Sequence, residues 1–286
     1  MTWWRSSQPV DSVLRPVADG RERFLVFCMA VSALFAGLVI LLVAADAWYL
    51  ASHGMRPGAA LHILARPAIR AAIMMSLGTA LCSLLLTVVC SLPVGYVLSR
   101  CRFPGRALLD TLVDVPIVVS PVVIGVSLLA FFGTGLGMAV KRALAGAHLS
   151  LVSSLGIVLC QFLVSAPYCI RAAKAAFDDV DRELEAVAMV LGCTRWGTFR
   201  TVTLPLARNG LVAGAVMAWA RAIGVFGPIM AFIGTGPRVQ VMPTCIWLEL
   251  SVGNIEVALT LALLMLGLAG SALLAVHILA PGRSWT

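Results

Sequence analysis

Long apolar runs separated by short polar breaks dominate this chain. Six stretches, at about 24–46, 71–97, 112–132, 149–169, 209–233 and 257–279, are long and apolar enough to cross a bilayer as helices, for which about 20 residues suffice. None shows the strict alternation of a barrel strand. A backbone in hydrocarbon must satisfy its own hydrogen bonds, and a helix does so within one segment. The pattern predicts an all-α, polytopic integral membrane protein with six transmembrane helices, preceded by a polar N-terminal segment at 1–23. The longest charged interruption, 171–208, falls between the fourth and fifth stretches, where an aqueous partner can reach it.

Composition narrows the class. Of 286 residues 60% are hydrophobic and 12% charged, with a mean hydropathy of +0.99, so no large soluble domain is left over. The net charge of +8 does not point to nucleic acid, because the basic residues are spread between the spans. With both termini inside, fourteen Lys and Arg fall on the inner side and six on the outer, which places 171–208 in the cytoplasm. Arg66 and Arg70 run against that bias locally and read as an interfacial stretch before the second span. The first apolar run is too long for an ordinary signal peptide and reads as an uncleaved span.

Candidate chemistry is sparse. The eight cysteines lie mostly inside apolar segments without a CxxC pair, and His53, His62, His148 and His277 are scattered, so no metal site is expected. The GTGLG run at 133–137 lacks the Lys-Ser/Thr ending of a phosphate loop and reads as a flexible exit from the third span. No catalytic residue and no bound cofactor are expected. Turn chemistry marks 54–57, 102–106 and 234–237.

Within the charged interruption, positions 172–190 have helical spacing. Phe177, Leu184, Val187 and Leu191 share a stripe, while Asp178, Asp181, Arg182 and Glu185 face elsewhere. Gly192 then interrupts, and Trp196 and Phe199 begin a second amphipathic stretch that ends before Pro205. Two short helices joined at a glycine turn are expected, held outside the bilayer. By composition alone this could equally be an ordinary charged loop between spans.

The order of residues goes further. Ala186, Val187 and Ala188, then Gly192, then Val202, Leu204 and Pro205 resemble the characteristic cytoplasmic loop of the membrane subunits of binding-protein-dependent ABC transporters. Ala186 stands where that family usually has glutamate, with Glu185 immediately before it. Ala220, Arg221, Ala222, Gly224, Phe226 and Gly227 resemble the fifth-segment signature of the molybdate, tungstate and sulfate permeases, with Val225 in place of a common glutamate. The proline-rich stretch holding Pro116 and Pro121 is similar to the third segment of the same branch.

The resemblance implies an ABC importer transmembrane domain over 24–280, with 171–208 as a cytoplasmic coupling loop. It implies a non-catalytic permease subunit of the bacterial or archaeal inner membrane, with molybdate or tungstate as cargo ahead of sulfate. The implied partners are a second permease copy, two ATP-binding subunits that use ATP and Mg, and an extracytoplasmic solute-binding protein. Lipid surrounds the assembly. Phe177, Asp181, Leu184, Glu185, Ala186, Ala188, Leu191, Gly192, Leu204 and Pro205 are then expected to couple to the ATPase. Arg221, near mid-depth of the fifth span, is expected either to line an anion route or to be neutralised by carbonyls or by Asp114. Gly224, Phe226, Gly227 and Pro228, with Pro116 and Pro121, are expected either to bend the route or simply to pack helices. The outer segments 50–67, 133–148 and 234–256 offer a landing surface for the solute-binding protein. Other cargo stays open. An ion-gradient-driven carrier is a further alternative, but the spans offer few acids besides Asp46 and Asp114 and no internal repeat is visible.

Overall fold

A computed structural model describes residues 11–52, 62–145, 152–234 and 240–279. The turn at 54–57, most of 234–237, Arg238, His53, His148 and Arg283 lie outside the described residues. The chain divides into two units, Met1–Arg56 and Pro57–Thr286. The described part of the first is helix α1 (Asp11–Ser52).

In the second unit the elements are α2 (Pro67–Arg100), α3 (Arg106–Val118), α4 (Pro121–Gly133), α5 (Gly135–Ala145) and α6 (Val152–Asp178). They are followed by α7 (Arg182–Val190), α8 (Arg195–Thr198), a π-helical turn (Phe199–Thr203), α9 (Leu204–Ile223), α10 (Gly227–Phe232), α11 (Met242–Ser251) and α12 (Ile255–Leu279).

The expected six spans are corrected. Among the described residues four helices are long and apolar enough to cross a membrane: Phe24–Ser52 within α1, α2, Ser154–Asp178 within α6, and Ile255–Leu274 within α12. A fifth crossing arises if α3 and α4, which meet at 110°, are counted together. Hydropathy averaged along the chain runs across that break. Pro121 has no N–H to continue the helix and holds Ser120 extended at ψ 132°, so the axis turns there. The stretch read as the fifth span is likewise two helices. α9 starts inside the charged segment, carries Arg208, Asn209 and Arg221, and stops at Ile223, and α10 restarts at Gly227.

The core is built on α2 and α6, with α9 packed chiefly on α6. α2 and α6 run parallel in a constant register. Thr87 meets Ser165 at 3.4 Å and Ser91 meets Cys169 at 3.1 Å, each 78 residues apart, and Ser99 donates to Asp178 at 2.6 Å, 79 apart. Ser76, Thr79, Ser83, Thr87 and Ser91 recur at helical spacing on the buried face of α2, so small polar side chains let the backbones approach and hydrogen-bond across. The same register sets Ser83 opposite Gln161, and the Ser83 hydroxyl and the Gln161 amide oxygen are buried without partners. Gly125 permits a second close approach. A Cβ there would lie 2.5 Å from the Pro228 carbonyl oxygen, so only glycine lets α4 seat on α10.

At the far end of α2 from Arg100, the Met242 N–H donates to Ser76 at 2.6 Å and ties α11 to the bundle. Burial, and then the charge of Glu249, push the Cys245 thiol of α11 above its ordinary value.

Candidate functional site

Residues 172–190 do not form one helix. α6 continues to Asp178, the chain turns through Asp179 and Val180, and α7 begins at Arg182. Asp181 caps α7, its side chain accepting from the Glu183 N–H at 2.9 Å, and Glu183 and Glu185 in the first turn complement the helix dipole. The helix ends where Gly192 takes φ +94°. Gly192 N–H donates to Met189 and Cys193 N–H to Ala188, both at 3.0 Å, which closes a Schellman motif around a left-handed residue. Thr194 then caps α8 by accepting from Gly197 N–H at 3.0 Å. The π turn that follows sends Leu204 N–H back to Phe199, so the chain passes into α9 although Pro205 supplies no N–H of its own.

Two arginines, Arg100 and Arg182, lock α7 to the end of α2, and Arg106 ties α3 to the same end. Arg100 donates to Glu185 through Nε at 3.1 Å and Nη2 at 3.0 Å, and Nη2 also reaches the Val180 carbonyl at 2.7 Å. The Thr203 hydroxyl donates to the same Glu185 oxygen at 2.8 Å, bringing the π turn into the cluster. The paired side chains are only 8% and 11% exposed, so each charge depends on the other for solvation. The last carbonyls of α2 lack helical partners, and guanidinium groups supply them: Arg106 donates to Leu98 at 2.8 Å and Arg182 to Ser99 at 3.0 Å. Beneath lies an aromatic cluster in which Tyr96 meets Phe177 at 5.6 Å and Phe199 at 5.0 Å, edge-on.

The expected coupling residues therefore separate into two layers. Phe177 is fully buried and Glu185 and Ala188 are buried, so these three hold α7 in place and offer no surface to a partner. Leu184, Val187, Val190 and Leu191 form the exposed apolar face, the last two 88% and 79% exposed. Ala186 is exposed, so in this chain Glu185 supplies the buried carboxylate. Pro205 is exposed and Leu204 half-buried at the start of α9. Sequence reading missed Arg100, Ser99 and Thr203. Their one visible signal is a charged residue closing the second apolar run.

The expected pathway residues lie elsewhere. Arg221 is exposed in the last turn of α9, its guanidinium carbon 5.9 Å from the centre of the Tyr168 ring. Asp114 is not its partner. Arg171 takes Asp114 through Nε at 2.8 Å and also holds Asp110 by side chain and carbonyl, which bridges α6 to α3. Gly224 and Phe226 occupy the break between α9 and α10, with Phe226 5.6 Å from Trp247. Gly227 packs on Val122, and Pro228 is buried against Gly125. Pro121 stands at the bend after α3, and Pro116 lies inside that helix.

Residues 91–284 match the family described as binding-protein-dependent transport system inner membrane component. Over 198 residues, 69% of this chain and 70% of the relative, the sequence is 41% identical to a probable molybdenum ABC transporter permease protein of Haloferax volcanii. It is 38% identical over 201 residues, 69% of this chain and 76% of the relative, to the molybdate/tungstate transport system permease protein WtpB of Thermococcus kodakarensis. With the molybdenum transport system permease protein ModB of Escherichia coli it shares 37% over 174 residues, 57% of this chain and 73% of the relative. Among solved structures, a bacterial ABC transporter involved in alginate import superposes with a TM-score of 0.71 over 93% of this chain and 98% of that one, at 17% identity, which shows a common fold. A chain of the MetNI methionine ABC transporter gives 0.59 over 74% and 95%, at 19% identity. The chain is a membrane-embedded, non-catalytic transport subunit that belongs to the binding-protein-dependent transport system inner membrane components, in the branch of the ModB and WtpB permeases.

Proposed function

We propose that this chain is the permease subunit of an ATP-driven importer of molybdate or tungstate, with sulfate the less favoured cargo. It works as a pair of identical copies, with two ATP-binding subunits on the cytoplasmic side and a solute-binding protein outside. The observation that carries the ATPase assignment is the exposed apolar face of α7 on a base fixed by the buried Arg100–Glu185 pair. Four apolar side chains presented on a rigid support are what a partner groove needs, and the cost of ordering them has been met in folding. The cargo reading rests on the names of the relatives. α7 and α8 face the cytoplasm, as does the N-terminal segment, in keeping with the fourteen-to-six bias of basic residues.

ATP-driven closure of the partner subunits pulls on α7. The pair Arg100–Glu185 and the bond from Thr203 to Glu185 pass that movement to α2 and α9 together. The anion route runs past Arg221, and the breaks at Pro121 and at Gly224–Pro228 let α4 and α10 move relative to α3 and α9.

The test is co-purification with the cognate ATPase of the native chain and of Val190→Asp and Leu191→Asp. Both positions face solvent, so the fold is retained, and association is expected to weaken by about tenfold or more. Unchanged association in both variants would sink the docking face. Vesicles holding the full transporter and its binding protein are expected to take up molybdate or tungstate with ATP, and uptake of a different solute alone would overturn the cargo.

A further inference from the structure

A groove of about 840 Å³ opens between the second half of α2 and the elements α7, α8 and the π turn. One wall is the stretch of α2 from Val89 to Val97, and the opposite wall is Trp196 and Phe199, stacked with ring centres 5.6 Å apart. From Val89 to Arg100 the helix rises about 16 Å, close to the depth of one leaflet of a hydrocarbon core about 30 Å thick. The apolar wall thus belongs to a membrane-spanning helix and stops at the charged end of that helix.

The polar end of the groove has donors with nothing to donate to. Thr198 lines it, is 4% exposed, and its hydroxyl has no hydrogen-bond partner. Such a group costs about 1–3 kcal/mol if left unsatisfied. The Tyr96 hydroxyl makes no hydrogen bond among the described residues, and Arg195 makes no ion pair there. Arg100 and Glu185 also line the groove but satisfy each other. The Thr198 hydroxyl is enclosed within the wall, while the other two unused donors, the Tyr96 hydroxyl and the positively charged Arg195, line the slot beside hydrocarbon side chains and the self-paired Arg100 and Glu185.

We propose that this groove is a binding site for an anionic phospholipid of the cytoplasmic leaflet. Its phosphate accepts from the Tyr96 hydroxyl and from the Arg195 guanidinium, and one acyl chain lies along Val89–Val97 beneath Trp196. The side chains that hold the phosphate come from α2 and from α8, so the bound lipid ties the end of a span to the short helices that rest on it. The site is separate from the exposed face of α7, since Leu184, Val187, Val190 and Leu191 do not line it.

Native mass spectrometry of the purified protein tests this, with phosphatidylglycerol and phosphatidylcholine titrated in parallel, alone and with the cognate ATPase bound. The native chain is expected to retain one phosphatidylglycerol at least about fivefold better than phosphatidylcholine, as one basic contact at a membrane surface supports. Arg195→Gln with Tyr96→Phe is expected to abolish that preference while acyl binding persists. Leu92→Trp, which fills the apolar end, is expected to lower retention of both lipids, and an unchanged melting temperature certifies each variant as folded. Equal retention of the two lipids by the native chain overturns the proposal, as does an unchanged preference in the double variant. Loss of the lipid when the ATPase or a second permease copy binds also overturns it, since the groove is then a protein contact.

Discussion

Arg100 and Arg171 both hold carboxylates across a contact between helices, and the two clusters differ in burial and in balance. Arg100 and Glu185 are one to one and 8% and 11% exposed. Arg171 stands against two carboxylates, Asp110 and Asp114, and the three side chains are 29%, 43% and 48% exposed. Asp178 closes α6 at the level of Ser99, so Arg171, seven residues earlier, lies about 10 Å further into the bundle. The cluster nearer the middle of the chain's membrane body is therefore the more open one. A buried, balanced pair cannot be exchanged for water without stranding a charge, whereas an open cluster with a spare carboxylate can trade partners at small cost. The first suits a joint that transmits force, and the second a contact that opens and closes.

Breaking the joint is expected to have the largest effect. Glu185→Ala leaves Arg100 buried and unpaired and removes the acceptor of Thr203, which is expected to cost about 3–5 kcal/mol and to appear as a lower melting temperature in detergent. Replacing both members by methionine is expected to recover most of that loss, because two apolar side chains strand no charge. If the single variant melts like the native chain, the contrast between the two clusters is gone.

A smaller effect is expected at the open cluster. Asp110→Asn or Asp114→Asn leaves Arg171 one carboxylate, a one-to-one pair that strands no charge, so each is expected to cost less than Glu185→Ala. The informative readout is transport rate, which is expected to change while melting does not. Gly192→Ala tests the support of α7 itself. A Cβ there meets nothing within 4 Å, so the cost is that of a left-handed backbone alone, about 1–2 kcal/mol. The variant is expected to fold and to bind the ATPase less tightly than the native chain, as pull-down at graded ATPase concentration would read out.

Much of this was legible along the chain. Apolar runs marked α1, α2, α6 and α12 as spans, Gly192 marked the end of α7, and the spacing from Gly192 to Pro205 marked the family. Other features were not. Phe177 shares a helical stripe with Leu184 only if one helix runs through Asp179, and the turn there puts it in the core instead. The six-span reading failed because an apolar average cannot register that Pro121 turns the axis by 110° or that Gly224 ends a helix. Glu185 was expected to face away from the apolar stripe and couple to the ATPase, because the Arg100 that buries it lies 85 residues away.

Local order and hydropathy determined which segments enter the membrane, where short helices start and stop, and which family the chain belongs to, because those properties depend on neighbours within a few positions. Tertiary structure alone decided that α2 and α6 pack with residues 78 apart facing each other, and so which charges meet, which stay open and which donors are left over in the groove. Those outcomes depend on the register of two packed helices, and hydrophobic spacing within either helix leaves that register unset.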